Sequence, residues 1–456
     1  MRMGIPTMFH HVLACCATGA VILCASSAAL ASGYSMGSIQ TIGRDGALDA
    51  IRNPALLAFH NASNSIGFIA DAAAYAPHFS SFGASSGQLG TNLASTRLHE
   101  SERRAHGKGL AFMHESQPFA MSAALAYCRS VKKGTLGFAA APMDEATAAS
   151  SHYDRSFDKI DAASAFYMSQ RGHNRRLGSH IVLSYGLPLT DGHALGLRCD
   201  VGYGLTRDRF INAAASLSSI NYHHRANKRI DVISASLAIG YLFRTLDTTA
   251  GLILTTGRFT WRNVTLHYGH MDLITPKYWY GKVREPFSFC YDRGVSLTGG
   301  GYRKLASFIA IGLEGEFEIP YSANRKELRY DEFTSFFAVT QNLQHKRNGC
   351  FGFKAGIEFL PDGPVVIALG AGYLSERERM SGNYFSRQTS SERVSGSLGF
   401  DITAFSRMLL FLGARIEHSR QRMAATTMSA LPDVLSLDGL KKITAIRTYI
   451  GLSCDW

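Results

Sequence analysis

The sequence between residues 394 and 404 is VSGSLGFDITA, and apolar and polar side chains alternate along most of it. The apolar set is Val394, Leu398, Phe400, Ile402 and Ala404, and the polar set is Arg393, Ser395, Ser397, Asp401 and Thr403. Successive side chains of a β-strand point to opposite faces, whereas a helix would mix the two sets. The stretch therefore predicts a strand with one apolar and one polar face.

The same alternation recurs through most of the chain. It is clear in Met408–Glu417, Leu305–Ile319 and Leu195–Leu205, where residues such as Arg415, Glu314 and Asp200 oppose the apolar set. Further candidate strands are 178–187, 230–243, 249–262, 289–302, 347–360, 364–376 and 442–456. Strands of this kind also occur in soluble sandwiches with one wet face, so the pattern alone leaves the architecture open.

The lengths of the connections favour one architecture. Short connections are expected at Phe405–Arg407, Pro361–Gly363, Arg303–Lys304, Arg244–Thr248 and Pro188–His193. Long connections are expected between them, at 422–441, 377–391, 320–346, 263–288 and 207–229. Short turns on one side and long loops on the other are typical of transmembrane up-and-down β-barrels. A Greek-key sandwich gives no reason for such regular alternation.

The number of strands follows from a count of candidates. Eleven lie between Ser179 and the C-terminus, and residues 63–170 must supply the rest. The best segments there are Gly107–His114, Phe119–Cys128 and Thr135–Ala141, with Ser65–Tyr75 and Ala163–Gln170 as competitors. Because bacterial barrels prefer even numbers, we predict about 14 antiparallel strands, with 16 as the alternative.

Both ends of the chain fit an exported barrel. Arg2, the apolar stretch from Val12 to Cys24 and the Ala-Leu-Ala at residues 29–31 predict a signal peptide cleaved after Ala31. Apart from the N-terminus, the sequence lacks an apolar run long enough for a transmembrane helix. The last strand ends in Tyr449, Gly451, Cys454 and Trp456, which resembles the C-terminal signal that outer-membrane assembly machinery recognises.

The net charge of +12 raises the question of nucleic-acid binding. The basic residues form dispersed clusters, at Arg97–His106, Arg171–Arg176 and Arg377–Arg393, where loops are expected. An exported protein seldom meets nucleic acid. Contact with anionic lipid head groups or acidic substrates, or simple solvation of the loops, explains the charge better.

The segment 32–62 precedes the barrel and follows neither clean periodicity. It contains Gly43–Ala50, GRDGALDA, followed by Ile51–Leu57, IRNPALL. Over about twenty-five residues this resembles the start of the mature chain in FadL-type long-chain fatty-acid transporters of the outer membrane. Asn53, Pro54 and Ala55 match the Asn-Pro-Ala motif of that family.

The resemblance implies a 14-stranded barrel, residues 63–456, with residues 32–62 as a hatch inside its lumen. It implies passive, hatch-gated passage of fatty acids or similar small hydrophobic compounds across the outer membrane. Expected partners are outer-membrane lipid, the hydrophobic ligand and the assembly machinery. The alternatives are a surface barrel acting as an adhesin or structural protein, and a general water-filled porin.

Two groups of residues are candidates for binding. In a predicted outer loop, Trp279 and Tyr280 could contact an acyl tail while Lys282 or Arg284 binds its head group; interfacial aromatic residues of a barrel would look the same. Inside the lumen we expect Glu314, Glu316, Glu318, Lys354 and Glu358, which could bind the hatch or line a wet channel.

Nothing in the sequence predicts catalysis. The sequence lacks a His-Glu-x-x-His zinc motif and a phosphate-binding loop. A Gly-x-Ser-x-Gly pattern occurs at residues 33–37 and 83–87, but neither copy stands between a predicted strand and a predicted helix, as a nucleophile elbow requires. We therefore expect a protein that is not an enzyme and that needs no cofactor or metal.

Overall fold

The computed structural model describes residues 39–42, 46–60, 62–75, 78–86, 109–142, 148–160, 165–216, 222–272, 278–330, 338–382, 385–404, 407–428 and 434–456. The predicted signal peptide, residues 1–31, lies outside these ranges, as do residues 32–38 and 43–45 of the predicted hatch.

Nearly all of the described chain is β-strand. The segments are β1 (Asn64–Tyr75), β2 (His78–Ser86), β3 (Gly109–Val131), β4 (Gly134–Pro142), β5 (Ala148–Ile160), β6 (Ala165–Thr190), β7 (His193–Ser216), β8 (Tyr222–Arg244), β9 (Thr248–Thr255), β10 (Arg258–Asp272), β11 (Tyr278–Arg293), β12 (Ser296–Ala306), β13 (Ile309–Glu318), β14 (Tyr321–Tyr330), β15 (Ala338–Phe359), β16 (Val365–Gly382), β17 (Phe385–Ala404), β18 (Met408–Met428) and β19 (Val434–Asp455).

These segments form one closed antiparallel barrel of fourteen strands, as predicted. Five barrel strands are each made of two consecutive segments: β1 with β2, β4 with β5, β9 with β10, β11 with β12, and β13 with β14. The last strand closes the barrel against the first, with Ile66 opposite Cys454 and Ala70 opposite Ile450. Closure removes the free edges that an open sheet would expose.

The wall of the barrel has an apolar outer face. On β7 the side chains of Leu197 and Val201 are about half exposed, whereas Asp200 between them is buried toward the lumen. On β17, Val394 and Leu398 are exposed and Asp401 is fully buried. Exposed apolar side chains outside and buried polar ones inside are the reverse of a soluble barrel and fit a wall that faces lipid.

One end of the barrel carries the short turns. They lie at 132–133, 191–192, 245–247, 307–308 and 360–364, and Arg407 ends a further turn before β18. The turn predicted at Arg303–Lys304 is wrong, because β12 continues through both residues and the chain reverses at Ser307–Phe308. Lys304 stays in the ladder opposite Ala310, and its ammonium group bonds Asp362 of a neighbouring turn. Two adjacent charged residues within a strand were therefore mistaken for a turn.

Two predicted strands near the N-terminus are one. Residues 109–114 of the first and all of Phe119–Cys128 belong to β3, which crosses the barrel once; residues 107–108 lie outside the described ranges. The ladder between β3 and β5 shifts register between Ser116 and Phe119, where Pro118 supplies no backbone N–H. The gap between the two predicted segments is therefore an irregularity within one strand.

At the opposite end, the strands continue through most of what we expected to be loops. Segments 207–216, 278–288 and 321–330 are strand, and so are the basic clusters Arg171–Arg176 and most of Arg377–Arg393. β6 is 26 residues long and β7 is 24. The barrel wall is thus much taller than the alternating pattern indicated.

Two short 3-10 helices, Gly46–Ile51 and Pro54–Phe59, precede β1. No helix in the described ranges is long and apolar enough to cross a membrane.

Candidate functional site: the hatch and the wall that holds it

The described residues of the segment 39–60, which are 39–42 and 46–60, are called the hatch below and are packed inside the barrel. Its two helices touch β1, β3, β4, β6, β7, β8 and β19, which lie on a continuous arc of the wall. Leu48 and Leu57 are fully buried within a cluster that includes Ala124, Ala139 and Phe411 of the wall. Ile39 packs in a second cluster with Tyr302 and Val366. The hatch thus fills the lumen at the end where the short turns lie.

The Asn-Pro-Ala motif shapes the second helix. Asn53 Oδ1 accepts a hydrogen bond from the N–H of Ala55 at 3.1 Å, and Pro54 is the first helical residue. A side-chain acceptor before a helix and a proline in its first turn are both favourable, because the first N–H groups have no partner inside the helix. Asn53 Nδ2 also donates to the carbonyl oxygens of Thr41 at 3.1 Å and Tyr241 at 3.4 Å. Asn53 therefore joins both parts of the hatch to β8.

Glu314 of β13 binds the start of the hatch. Its Oε2 accepts hydrogen bonds from the N–H of Gln40 at 2.6 Å, the N–H of Thr41 at 2.8 Å and Thr41 Oγ1 at 2.9 Å. Its Oε1 pairs with Lys354 Nζ at 2.8 Å. The side chain is only 2% exposed. A buried carboxylate is stable where ionised partners and hydrogen-bond donors surround it, as they do here.

Another part of the wall, formed by β6 and β7, holds the hatch through its carbonyl groups. Arg198 Nη1 donates to the carbonyl oxygens of Ile51 at 2.9 Å and Arg52 at 2.6 Å, and Ser184 Oγ donates to that of Ala50 at 2.6 Å. Asp200 accepts from Arg198 Nε at 3.1 Å and so fixes the guanidinium group. The hatch is thus bound from two sides, by an anion at its N–H groups and by a cation at its carbonyl groups.

Glycines let the hatch lie directly on the wall. At Gly240 an added Cβ would come within 2.1 Å of Asn53 Oδ1, and at Gly196 within 2.3 Å of the backbone N of Ala55. Five other wall glycines show a similar close approach to the hatch: Gly67, Gly137, Gly186, Gly251 and Gly300. We call these seven residues the glycine track. Close approach of one backbone to another is a use for which glycine alone is suited.

The lumen has two chemically different sides. On β3 and β4 the inward residues Ala120, Ala124, Ala126, Ala139 and Ala141 are buried, and with Ala73 of β1 they form a surface that we call the alanine face. On β18 and β19, Arg415 pairs with Glu417 at 2.8 Å, and Arg447 lies 3.6 Å from Glu417 and 3.9 Å from Asp71 of β1. An apolar molecule in the lumen would be least costly to accommodate on the alanine face.

Two other lumen candidates, Glu318 and Glu358, have hydrogen-bond partners on the wall. Glu318 accepts from the N–H of Gly294 at 2.8 Å and pairs with Arg347 at 3.1 Å. Glu358 accepts from the hydroxyl group of Tyr302 at 2.9 Å. Glu316 is half-buried. Among the described residues, no group of three metal-binding side chains is placed to hold a metal ion.

The structure places Trp279, Tyr280, Lys282 and Arg284 not in a loop but in β11, which pairs with β10 in the wall. The side chains of Trp279 and Tyr280 are outside the described part of the structure. Those of Lys282 and Arg284 are exposed, and they lie on the outer face of the wall with His267 and Thr265 of β10. A role of these four residues in ligand capture remains a prediction.

The residues of the proposed assembly signal lie at the closure of the barrel. Tyr449 is opposite Asp71, Gly451 is opposite Ile69, and Cys454 is opposite Ile66. The backbone of Trp456 exchanges hydrogen bonds of 2.9 and 3.0 Å with Asn64. Recognition by assembly machinery is a separate property and remains a prediction.

Solved structures with the same architecture exist. The chain superposes on the toluene transporter TodX of Pseudomonas putida with a TM-score of 0.54 at 11% identity, over 96% of this chain and 100% of that one. It has the FadL-type fold. A FadL homologue of Pseudomonas aeruginosa matches with a TM-score of 0.53 at 10% identity, over 94% of this chain and 100% of that one.

CymD, a monoaromatic hydrocarbon channel, is similar to this FadL-type barrel to the same extent, with a TM-score of 0.53 at 10% identity over 94% of this chain and 97% of that one. No protein-family model matches the sequence, and no curated protein matches it. At this level of identity, the likeness shows the fold alone.

Proposed function

We propose that this protein is an outer-membrane channel through which small hydrophobic molecules pass by passive diffusion when the hatch shifts. The observation that carries the proposal is a lumen filled by a segment of the chain that is held by hydrogen bonds and packing. Such a segment can move without any change in the covalent structure of the wall. The structural neighbours named for toluene and monoaromatic hydrocarbons support the same class of ligand.

The alanine face supports an apolar ligand. It places small, uncharged side chains beside the hatch helix Gly46–Ile51, while the charged network of β18 and β19 ends at Asp71 of β1, at the border of this face. A molecule without polar groups would lose little on leaving water for that face, whereas an ion or sugar would leave its hydration unreplaced. Long-chain fatty acids and monoaromatic compounds are both candidates.

The filled lumen favours this function over that of a general porin. Ile39, Leu48, Ala55 and Leu57 of the hatch are fully buried, so the turn end of the barrel holds packed apolar side chains. An aqueous pore needs a continuous wet path, as large porins have. A signal peptide removed after Ala31 and insertion by outer-membrane assembly machinery are part of the proposal.

Uptake by cells tests the proposal. We would express the protein in a Gram-negative host that lacks its own hydrophobic-compound transporters and measure entry of labelled toluene, labelled oleate and a labelled disaccharide. We expect faster entry of toluene, oleate or both, unchanged entry of the sugar, and no loss of rate when the proton gradient is collapsed.

Other results would contradict the proposal. If the disaccharide enters as much faster as the hydrophobic compounds do, and if the protein conducts ions steadily in planar bilayers, the protein is a general porin. Unchanged entry of all three solutes, in cells where heat-modifiable gel mobility proves that the barrel is folded, would leave a surface or structural role.

A further inference from the structure

The outer wall of the barrel carries a basic cleft. Ten residues of β7, β8, β10 and β11 line a volume of about 470 Å³: Arg207, Arg209, Asn227, Arg229, Asp231, Asn263, Thr265, His267, Lys282 and Arg284. Five of them are arginine or lysine, and Asp231 is the single carboxylate. We call this site the outer basic cleft.

The cleft faces outward and not into the lumen. On β7, Arg207 and Arg209 have the same parity as Val201 and Tyr203, which are exposed on the outer wall. On β10, Thr265 and His267 share the parity of the exposed Trp261, whereas Val264 and Leu266 are buried toward the lumen. Side chains two residues apart share a face, so these cations belong to the outer surface of the wall.

A register shift brings β11 into the cleft. Trp261 is opposite Phe289, but Val264 is opposite Glu285, so β11 has one residue more than β10 between these pairs. A bulge of this kind reverses which residues face outward. As a result, Lys282 and Arg284 share the outer face with Phe289, although their positions differ from it by an odd number of residues.

The cleft lies immediately beyond the apolar part of the wall. Phe259, Trp261 and Phe289 form a ring cluster with centroids 5.5 to 5.8 Å apart, and Tyr203 is half exposed beside it. Aromatic side chains concentrate where the membrane meets water. On each of three strands, a cleft residue lies four residues farther from the turns than an outer-wall residue, which is about 10 Å higher on a tilted strand. The pairs are Arg207 with Tyr203, Arg229 with Ile233, and Thr265 with Trp261.

The charges of the cleft are incompletely balanced. Asp231 pairs with Arg229 at 2.9 Å and accepts from the hydroxyl group of Tyr203 at 2.8 Å. Arg207 lies directly opposite Arg229 in the ladder, and Arg284 lies opposite Thr265 on the next pair of strands. Like charges that face each other across a sheet are destabilising, and an anion between them would relieve the repulsion.

We propose that the outer basic cleft binds the phosphate groups of a phosphorylated glycolipid of the outer leaflet, of the lipid A type. Short turns lie on the periplasmic side of such barrels, which places this cleft on the outer side at head-group height. The acyl chains of the lipid would then lie along Tyr203, Trp261 and Phe289, while the guanidinium groups of the arginines bind the phosphates. Lys282 and Arg284 thereby serve a lipid at the outer wall and not a ligand in the lumen.

Binding of defined lipids to the purified full-length barrel tests this proposal. The probes are diphosphoryl lipid A, monophosphoryl lipid A, dephosphorylated lipid A and phosphatidylethanolamine, added to the protein in detergent and followed by native mass spectrometry. We expect affinity to fall in that order, with diphosphoryl lipid A bound most tightly. Inorganic pyrophosphate should compete only weakly, because it lacks the acyl chains.

Two double variants sharpen the test. Arg207→Gln/Arg284→Gln should weaken binding of diphosphoryl lipid A by about 30-fold, as expected for two cations near an anionic head group. The matched control, Lys132→Gln/Lys133→Gln, removes two exposed charges from a periplasmic turn and should leave binding unchanged. The proposal is overturned if both variants bind alike, if dephosphorylated lipid A binds as well as the diphosphoryl form, or if pyrophosphate alone displaces the lipid completely.

Discussion

Replacing Glu314 by alanine should release the start of the hatch from the wall. The substitution removes the acceptor of three hydrogen bonds, from Gln40 N, Thr41 N and Thr41 Oγ1, and leaves Lys354 without the carboxylate it pairs with at 2.8 Å. Hydrogen bonds to a charged group contribute about 1.5–3 kcal/mol each when one partner is removed. Water that enters the opened space recovers part of this hydrogen-bond energy. We therefore expect the free energy that holds the hatch in the barrel to fall by about 2–4 kcal/mol.

That loss corresponds to an increase of about 30-fold to about 1,000-fold in the population of the open hatch. Hydrogen exchange of the purified barrel measures it directly, because amides of residues 39–60 exchange only when the hatch opens. Glu318→Gln is the matched control: Glu318 lies in the same strand and is buried, but its bonds go to Gly294 and Arg347 of the wall. Its hatch exchange should stay near that of the unmodified protein.

The reasoning would be refuted by equal exchange in Glu314→Ala and the unmodified protein, with the wall of both equally protected. An equal increase in the hydrogen exchange of the hatch in Glu318→Gln would also refute it, because the effect would then be a general loosening of β13 and β15. Faster entry of toluene or oleate should accompany faster exchange if the hatch controls passage.

Three further perturbations test the contacts of the hatch. Gly240→Ala adds a Cβ within 2.1 Å of Asn53 Oδ1 and should destabilise the bound hatch by about 1–3 kcal/mol in denaturant titration. In the control Gly315→Ala the added Cβ has no atom within 4 Å, so its stability should stay unchanged. Equal destabilisation by both variants would contradict the role of the glycine track. Arg198→Met removes both carbonyl contacts and leaves Asp200 without its cation, so protease cleavage within residues 46–60 should appear; an uncleaved hatch would show that packing alone holds it. Burial lowers the pKa of His60 from 6.5, with Asp455 opposing the shift, so protonation of His60 disfavours the folded hatch. The stability of the folded hatch should be complete above about pH 6.5 and should fall as the pH drops below that value. His60→Gln should remove this pH dependence from the hydrogen exchange of the hatch.

The alternating pattern predicts the barrel where the membrane enforces it. Lipid on one side and a polar lumen on the other require period two, and segments such as 195–205 and 394–404 show it and are strands. Above the membrane both faces of the wall are wet, so the pattern disappears while the backbone ladder continues. Segments 207–216 and 377–382 therefore had the composition of loops although they pair as strands.

The candidate site was predictable only in part. The motif at Asn53–Ala55 pointed to a hatch, and Glu314 had the parity of an inward residue. The glycine track was not predictable, because a glycine's neighbours across the lumen depend on how the hatch folds. Lys282 and Arg284 were assigned to a loop because they lie in the expected long connection 263–288, where apolar and polar residues do not alternate. The bulge that turns them outward is visible only in the pairing with β10.

The length of the strands determines where a ligand must start. A strand of 24 residues such as β7 spans about 80 Å along its axis and about 60 Å in height when tilted by about 40°, against about 25 Å of apolar band. The upper opening therefore stands some 30 Å above the bilayer, within the sugar layer of the cell surface. If the protein transports hydrophobic molecules as proposed, they must reach this opening from the aqueous side, because a compound dissolved in the outer leaflet lies below it.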